Sequence, residues 1–100
     1  MTIGEFQKLI RKIYFVKDSR RGFDGTFRWF VEEVGELARA VRHNRKSEMA
    51  EEFADVFAWL VSLASLTWVD LEEACGKYQN GCPKCQSLPC KCLDEKVDLE

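Results

Sequence analysis

An all-α chain, four helices in a bundle followed by a short cysteine-rich C-terminal tail, is the architecture that the sequence predicts, on three observations. Apolar residues recur every three or four positions through most of the first eighty, which is the period of a helix. No alternating, period-two pattern persists anywhere, so no strand is expected. Four of the five cysteines crowd into residues 82–92, away from the helical pattern. The expected division is a helical domain over residues 1–80 and a cysteine-rich tail over residues 81–100.

The first predicted helix starts after Thr2 and carries Ile3, Phe6, Leu9, Ile10, Ile13 and Tyr14 at helical spacing as far as about Phe15. Residues 16–25 hold Lys17, Asp18, Arg20, Arg21, Gly22, Asp24 and Gly25, the composition of a loop. Such a loop is either a solvated connection or a basic segment from which Lys17, Arg20 or Arg21 reaches an anionic ligand. A second helix is expected from Thr26, as N-cap, to His43, with Trp29, Phe30, Val34, Leu37, Ala38 and Val41 on its apolar side. His43 is the only histidine, and its place at a helix end suits an interaction with the last carbonyls better than base catalysis.

His43 to Ser47 is polar and reads as a short turn between antiparallel helices. The third helix is expected from Ser47, as N-cap, to about Leu66, with Met49, Phe53, Val56, Phe57, Leu60 and Leu63 as its inner stripe. Trp59 and Val61 fall outside that stripe. A helix apolar on nearly every side must bury more than one face, so a homo-oligomer, dimer or tetramer, is expected with Trp59 or Val61 in its interface. Asp70 and Glu73 read as the capping box of a fourth, shorter helix, which directs Leu71, Ala74, Cys75 and Tyr78 to the core and stops at Asn80-Gly81.

Composition narrows the class of protein. Hydrophobic residues make up 46% of the hundred, enough for one core and too few for two. The formal net charge is −2, with acids and bases interspersed, so no excess of positive charge invites nucleic acid. The uncharged run over residues 56–69 is shorter than the roughly 18 residues of a spanning helix and contains Ser62, Ser65 and Thr67. Residues 1–14 mix Glu5, Lys8, Arg11 and Lys12 among apolar positions, unlike a secretory signal. A cytoplasmic protein without a membrane partner is expected.

The chemistry lies in the acids on either side of the turn. Glu33 and Glu36 are three apart, as are Glu52 and Asp55, so each pair projects from one face of its helix. Folding the chain at Asn44 leaves Glu36 and Glu52 each eight residues from the turn, and Glu33 and Asp55 each eleven. At about 1.5 Å per residue the pairs meet at matching heights, roughly 12 and 16 Å from the turn. Four carboxylates brought together raise one another's pKa unless a cation sits among them. Oxygen-only donors favour a hard ion, Mg²⁺ first and Mn²⁺ or Ca²⁺ after it. The competing reading is a set of solvated glutamates; against it stands Asp55, at the border of the uncharged run, where an acid needs a partner.

In the tail, Cys82, Cys85, Cys90 and Cys92 form CxxC, four residues, then CxC. Four thiolates within eleven residues suit tetrahedral Zn²⁺. Free or redox-active thiols and disulfides are the alternatives, and the latter conflict with a reducing cytosol. The acidic segment beyond Cys92, residues 93–100, is expected to fray.

Glu32-Glu33-x-x-Glu36, then fifteen residues, then Glu52-x-x-Asp55, on two helices of an all-α chain, resembles the MazG-like nucleoside triphosphate pyrophosphohydrolases. The resemblance covers roughly residues 27–78. It implies a four-helix MazG-like bundle that hydrolyses nucleoside triphosphates between the α- and β-phosphates, giving the monophosphate and pyrophosphate, often to clear non-standard nucleotides. It implies Mg²⁺ or Mn²⁺ held by Glu33, Glu36, Glu52 and Asp55, with Glu32 or Glu33 orienting or deprotonating the attacking water. Lys77 falls where relatives carry a phosphate-contacting lysine, and Asn80 where a polar residue follows it. Trp29, one turn before Glu33, is a candidate for base recognition. Where relatives continue in a basic helix, this chain has its cysteines. Two other functions compete: a zinc-binding protein-interaction module on a helical bundle, and a di-iron carboxylate bundle, for which the Glu-x-x-His pairs are missing.

Overall fold

Two long helices and one short one build the chain in the computed structural model, which describes residues 1–93. They are α1 (Ile3–Arg42), α2 (Lys46–Leu66) and α3 (Leu71–Cys75), the last continued by a 3₁₀ turn, Gly76–Tyr78. There is no strand among the described residues, and no single helix is long and apolar enough to cross a membrane. The acidic end segment, expected to fray, lies outside the described residues apart from Leu93.

The first two predicted helices follow one another as the two halves of α1, separated by a kink at Gly22 and not by a loop. The chain stays helical beyond Phe15, through the predicted loop, and departs from helical geometry only at Gly22, with φ 83° and ψ 170°. That backbone region is essentially open to glycine alone. Forty straight residues would span about 60 Å, more than the molecule's longest extent of 46 Å. The bend instead brings both halves of α1 against α2: Phe6 stacks on Phe57 in the first half, Trp29 on Trp59 in the second.

Polar side chains pin the bend. Asp18 is buried, and its Oδ1 accepts a hydrogen bond from Arg21 Nη1 at 2.9 Å. The same nitrogen reaches Thr26 Oγ1 at 3.4 Å, so one guanidinium ties the two sides of Gly22 together. Thr26 is therefore a fully buried acceptor inside the helix, and not an N-cap. Gly25 leaves the space that Arg21 needs, since a Cβ there would lie 2.7 Å from Arg21 Cγ. The basic residues that made this stretch look like a loop are good helix formers, and one of them, Arg21, is paired with Asp18 inside the helix.

The predicted turn falls where the sequence places it. His43 caps α1, its N–H donating to Arg39 O at 3.0 Å, and Asn44 has φ 52°. Arg45, not Ser47, is the N-cap of α2; it offers no capping side-chain bond, but its Nη1 reaches Glu48 Oε1 at 3.1 Å. Within α2 the buried run is Val61 to Ser65, whose small serines and alanine let α1 come close. The predicted inner stripe is corrected accordingly: Phe53, Phe57 and Leu60 are exposed, and Val61 is fully buried. A second exposed stripe, Phe23, Phe27, Val31 and Val34, runs at helical spacing along the second half of α1.

Asp70 Oδ1 accepts from Glu73 N at 3.1 Å and starts α3 as predicted, yet of its expected core residues only Leu71 is half-buried. Ala74, Cys75 and Tyr78 face solvent because five residues give too short a helix to cover a second face. What holds α3 is Gln7 on α1: its Nε2 donates to Val69 O at 2.8 Å and Ser65 Oγ at 3.3 Å, and its Oε1 accepts from Leu71 N at 3.0 Å. Gly4 N adds a bond to Glu72 Oε1 at 3.0 Å.

Gly22→Ala is expected to lower stability by about 1–3 kcal/mol, since a side chain there must either hold a disfavoured backbone or straighten α1. Urea unfolding measures it, and an unchanged midpoint would mean that the bend does not depend on glycine.

Candidate functional site

Fifteen residues separate the two acidic motifs, and the α1–α2 turn closes that gap. Carboxylate oxygens of Glu33, Glu52 and Asp55 lie within 4.8 Å of one another. Glu36, one turn along α1 from Glu33, stays outside this group, with its Oε2 3.6 Å from Arg39 Nη1. Glu32 is exposed, on a different side of the helix from its neighbour.

The acid with an oxygen shut off from solvent is Glu52, itself half-buried, and not Asp55. Asp55 is exposed at the residue level, whereas Glu52 Oε2 is shut off from solvent with no hydrogen-bond partner. The sequence argument from the border of the apolar run names the wrong member of the pair, because the face that α1 covers was not known. A carboxylate oxygen in that position is costly unless a cation meets it. Glu33 feels the same deficit: burial first, then the charges of Asp55 and Glu52, sharing of a proton with Glu52, and the charge of Glu36 push its pKa up. This donor set, three convergent carboxylates with one oxygen unpaired, fits a hard divalent cation.

A cavity of about 220 Å³ adjoins the acids, lined by two helical faces of identical spacing. Tyr14, Lys17, Asp18 and Arg21 come from the first half of α1, and Asp55, Ala58, Trp59 and Ser62 from α2. Two cations thus stand in the pocket that Asp55 enters. Of the three basic residues expected to reach an anion, Lys17 and Arg21 line the cavity and Arg20 does not. Trp59 stacks on Trp29, ring centroids 6.1 Å apart, and carries the Arg21 guanidinium 5.0 Å from its centre. Trp59 is the aromatic residue of the pocket wall, with Trp29 stacked against it. Lys77 and Asn80 are exposed in the segment after α3 and do not line the cavity. Tyr14, Asp18 and Trp59 escaped the sequence analysis, although Trp59 lies four residues from Asp55 and the i, i+3, i+4, i+7 face was there to read once residues 16–21 are helical.

The tail gathers its four predicted cysteines. Cys82, Cys85, Cys90 and Cys92 place their sulfurs within 4.8 Å of one another, while Cys75 stands apart on α3. Backbone N–H groups, of Lys91 foremost and then Ser87, lower the Cys85 pKa to about 6. Those of Cys85 and Lys84 lower that of Cys82, and the surrounding thiols push Cys92 up to about 12.

The raised Glu33 pKa has a definite sign. Its contribution to stability is full below the unfolded value of 4.5 and lost as pH rises through the folded value, so ionised Glu33 weakens the metal-free fold at neutral pH. Mg²⁺ should therefore raise the melting temperature more at neutral pH than at about pH 5. Glu33→Gln should raise the metal-free melting temperature by on the order of a few °C and remove most of the response to Mg²⁺. Thermal scans of both proteins check this; a metal response retained in full by Glu33→Gln would exclude Glu33 as a ligand.

Sequence comparison adds an independent finding. The MazG nucleotide pyrophosphohydrolase domain matches residues 21–86, from the bend of α1 through α2 and α3 to the first cysteine pair. A comparison with curated proteins finds no match. The matched segment spans more than half of the chain and contains every member of the carboxylate cluster, and the chain belongs to the MazG nucleotide pyrophosphohydrolase domain family.

Proposed function

We propose that the protein is a Mg²⁺-dependent nucleoside triphosphate pyrophosphohydrolase, cleaving between the α- and β-phosphates and acting in the cytoplasm on the nucleotide pool. The observation that carries this reading is the cluster of Glu33, Glu52 and Asp55 around an unpartnered oxygen, with Lys17 and Arg21 in the adjoining pocket. A protein-interaction module whose acids merely solvate a bundle would have no reason to shut Glu52 Oε2 away from water.

Glu33, Glu52 and Asp55 would hold the ion, and Glu36, whose charge already acts on Glu33, is the fourth acid of the motif. When bound, Mg²⁺ supplies neutralisation of phosphate charge and Lewis-acid polarisation. Lys17 and Arg21 bind and orient the anionic phosphates; Asp18 fixes Arg21 for this work by its hydrogen bond. Of the two acids expected to take the proton of the attacking water, Glu32 lies on a different side of the helix from the cluster, so the role falls to Glu33, whose raised pKa suits a base. The water oxygen bonds to phosphorus, the α–β bridge breaks, and pyrophosphate leaves with the bridging electrons. Trp59, braced by Trp29, is the wall against which the nucleotide is positioned.

The functional unit is a homo-oligomer. Buried apolar side chains among the described residues are Ile10, Ala40, Val61, Leu63 and Ala64, none of them aromatic, while Phe27 and Phe53 are 46% and 59% exposed. A hundred-residue chain that leaves its largest apolar residues in water gains much from covering them with a second copy. The cavity is also smaller than the roughly 300–1,000 Å³ of most ligand sites, so a second copy would extend it. The expected interface is the two exposed stripes and not Val61, which nothing outside can touch.

Incubation with a nucleotide panel and Mg²⁺ should yield monophosphate and pyrophosphate; orthophosphate as the product would exclude α–β cleavage. Glu52→Gln and Asp55→Asn should lower kcat/KM by on the order of 10²–10³-fold and abolish the thermal response to Mg²⁺. Glu32→Gln, on a different side of the helix from the cluster, should leave both kcat and that response near those of the parent. Sedimentation should show at least a dimer at micromolar concentration, and Phe53→Glu should shift it toward monomer.

A further inference from the structure

The cysteine cluster lies outside the carboxylate site and belongs to no step of phosphate chemistry. Its dimensions are those of a metal tetrahedron. With Zn–S bonds of about 2.3 Å, the sulfurs of a tetrahedral site stand about 3.8 Å apart. Cys82 and Cys92 sulfurs are 3.8 Å apart, and those of Cys85 and Cys90 are 3.9 Å apart. These two contacts involve all four cysteines, one from each pair of the CxxC and CxC motifs.

The backbone is arranged around the sulfurs. Lys91 N–H donates to Cys85 Sγ and Cys92 N–H to Cys90 Sγ, both at 3.3 Å. Amide donors aimed at ligand sulfurs orient them and stabilise their ionised form. The loop that carries the first pair is closed by its own bonds: Cys82 N–H donates to Ser87 O at 2.9 Å, and Gln86 N–H to Cys82 O at 2.6 Å. Gly81 enters it at φ 104°, where a Cβ would meet Ser87 O at 2.6 Å. Gln86, directly after Cys85, has φ 57°, a left-handed conformation that turns the chain back toward the second pair. There is no apolar core to enforce this shape, since Leu88, the large apolar residue within it, is 88% exposed. A chain segment this well closed and this poor in buried surface is held by bonds to an ion.

We propose that Cys82, Cys85, Cys90 and Cys92 bind one structural Zn²⁺ per chain, independent of the carboxylate cation. Each ligand enters as a thiolate, and any sulfur still protonated releases its proton to solvent as the Zn–S bond forms, with no electron transferred. Four sulfurs close the coordination sphere, so the ion is structural rather than catalytic. Tetrahedral sulfur sites take zinc or iron; Cys90 and Cys92 are exposed, and a redox-inert ion suits sulfurs open to dissolved oxygen. Soft thiolates and hard carboxylates keep the two metals apart without further selection.

Elemental analysis of the full chain, purified without added metal, should find one zinc atom per chain. Cys85→Ser and Cys90→Ser should each lose it, while Cys75→Ser, outside the cluster, should keep it. Exchange of zinc for Co²⁺ should give the intense visible bands of a tetrahedral thiolate site, a readout independent of nucleotide hydrolysis. If the serine variants fail to fold, chelation of the parent gives the same reading: four thiols become titratable while the helical signal of α1 and α2 persists. Iron in place of zinc, a mass lowered by the hydrogens of two disulfides, or all five thiols titratable before chelation would each overturn the proposal. Loss of the helical signal on chelation would overturn the independence of the two sites.

Discussion

Everything in the molecule depends on α1 turning a corner at Gly22. A straight helix of that length could lay only one half along α2, and the other half would project into solvent. The glycine conformation supplies the corner, but it does not hold it. Arg21 does, with Asp18 on one side and Thr26 on the other, crossing the space that Gly25 leaves empty. The same guanidinium faces Trp59 and the cavity beside Asp55. Structural hinge and pocket wall are therefore one group of atoms, and neither can change without the other.

How much of this was legible in the sequence follows from which arguments need only distances along a helix. The meeting of Glu33 with Glu52 and Asp55 requires a turn near Asn44 and a constant rise per residue, and both hold. Helix faces were harder. An all-round apolar α2 offers no polar side to mark its orientation, so Phe53 looked like core and Val61 like surface, the reverse of the packing. Residues 16–25 misled for another reason. Their charges and glycines match the composition of a loop, yet Asp18 and Arg21 stand three apart and satisfy each other within one helix. Thr26 and Ser47 are good capping types, but capping type does not outweigh the burial available to Thr26 or the earlier start at Lys46.

Two kinds of metal chemistry divide the chain. The carboxylate cluster is held by long helices that the rest of the fold supports, so its acids stay together even while they repel one another. The thiol cluster stands on a loop with almost no buried apolar surface, and its order rests on backbone hydrogen bonds and on the sulfurs themselves. The first cluster is therefore preorganised by the fold, whereas the second owes its shape to its own loop.

Gln7 ties residues 58 to 64 positions apart, and that fixes which parts of the chain open together. Its amide engages Ser65, Val69 and Leu71 at once, and Gly4 adds Glu72, so the first turns of α1 and the start of α3 share their bonds. Five residues of helix have no stability of their own. When the N-terminal turns fray, the amide hydrogen of Leu71 loses its acceptor and α3 opens with them. Hydrogen exchange is therefore expected to find the beginning of the chain and the segment leading into the cysteine loop opening as one unit.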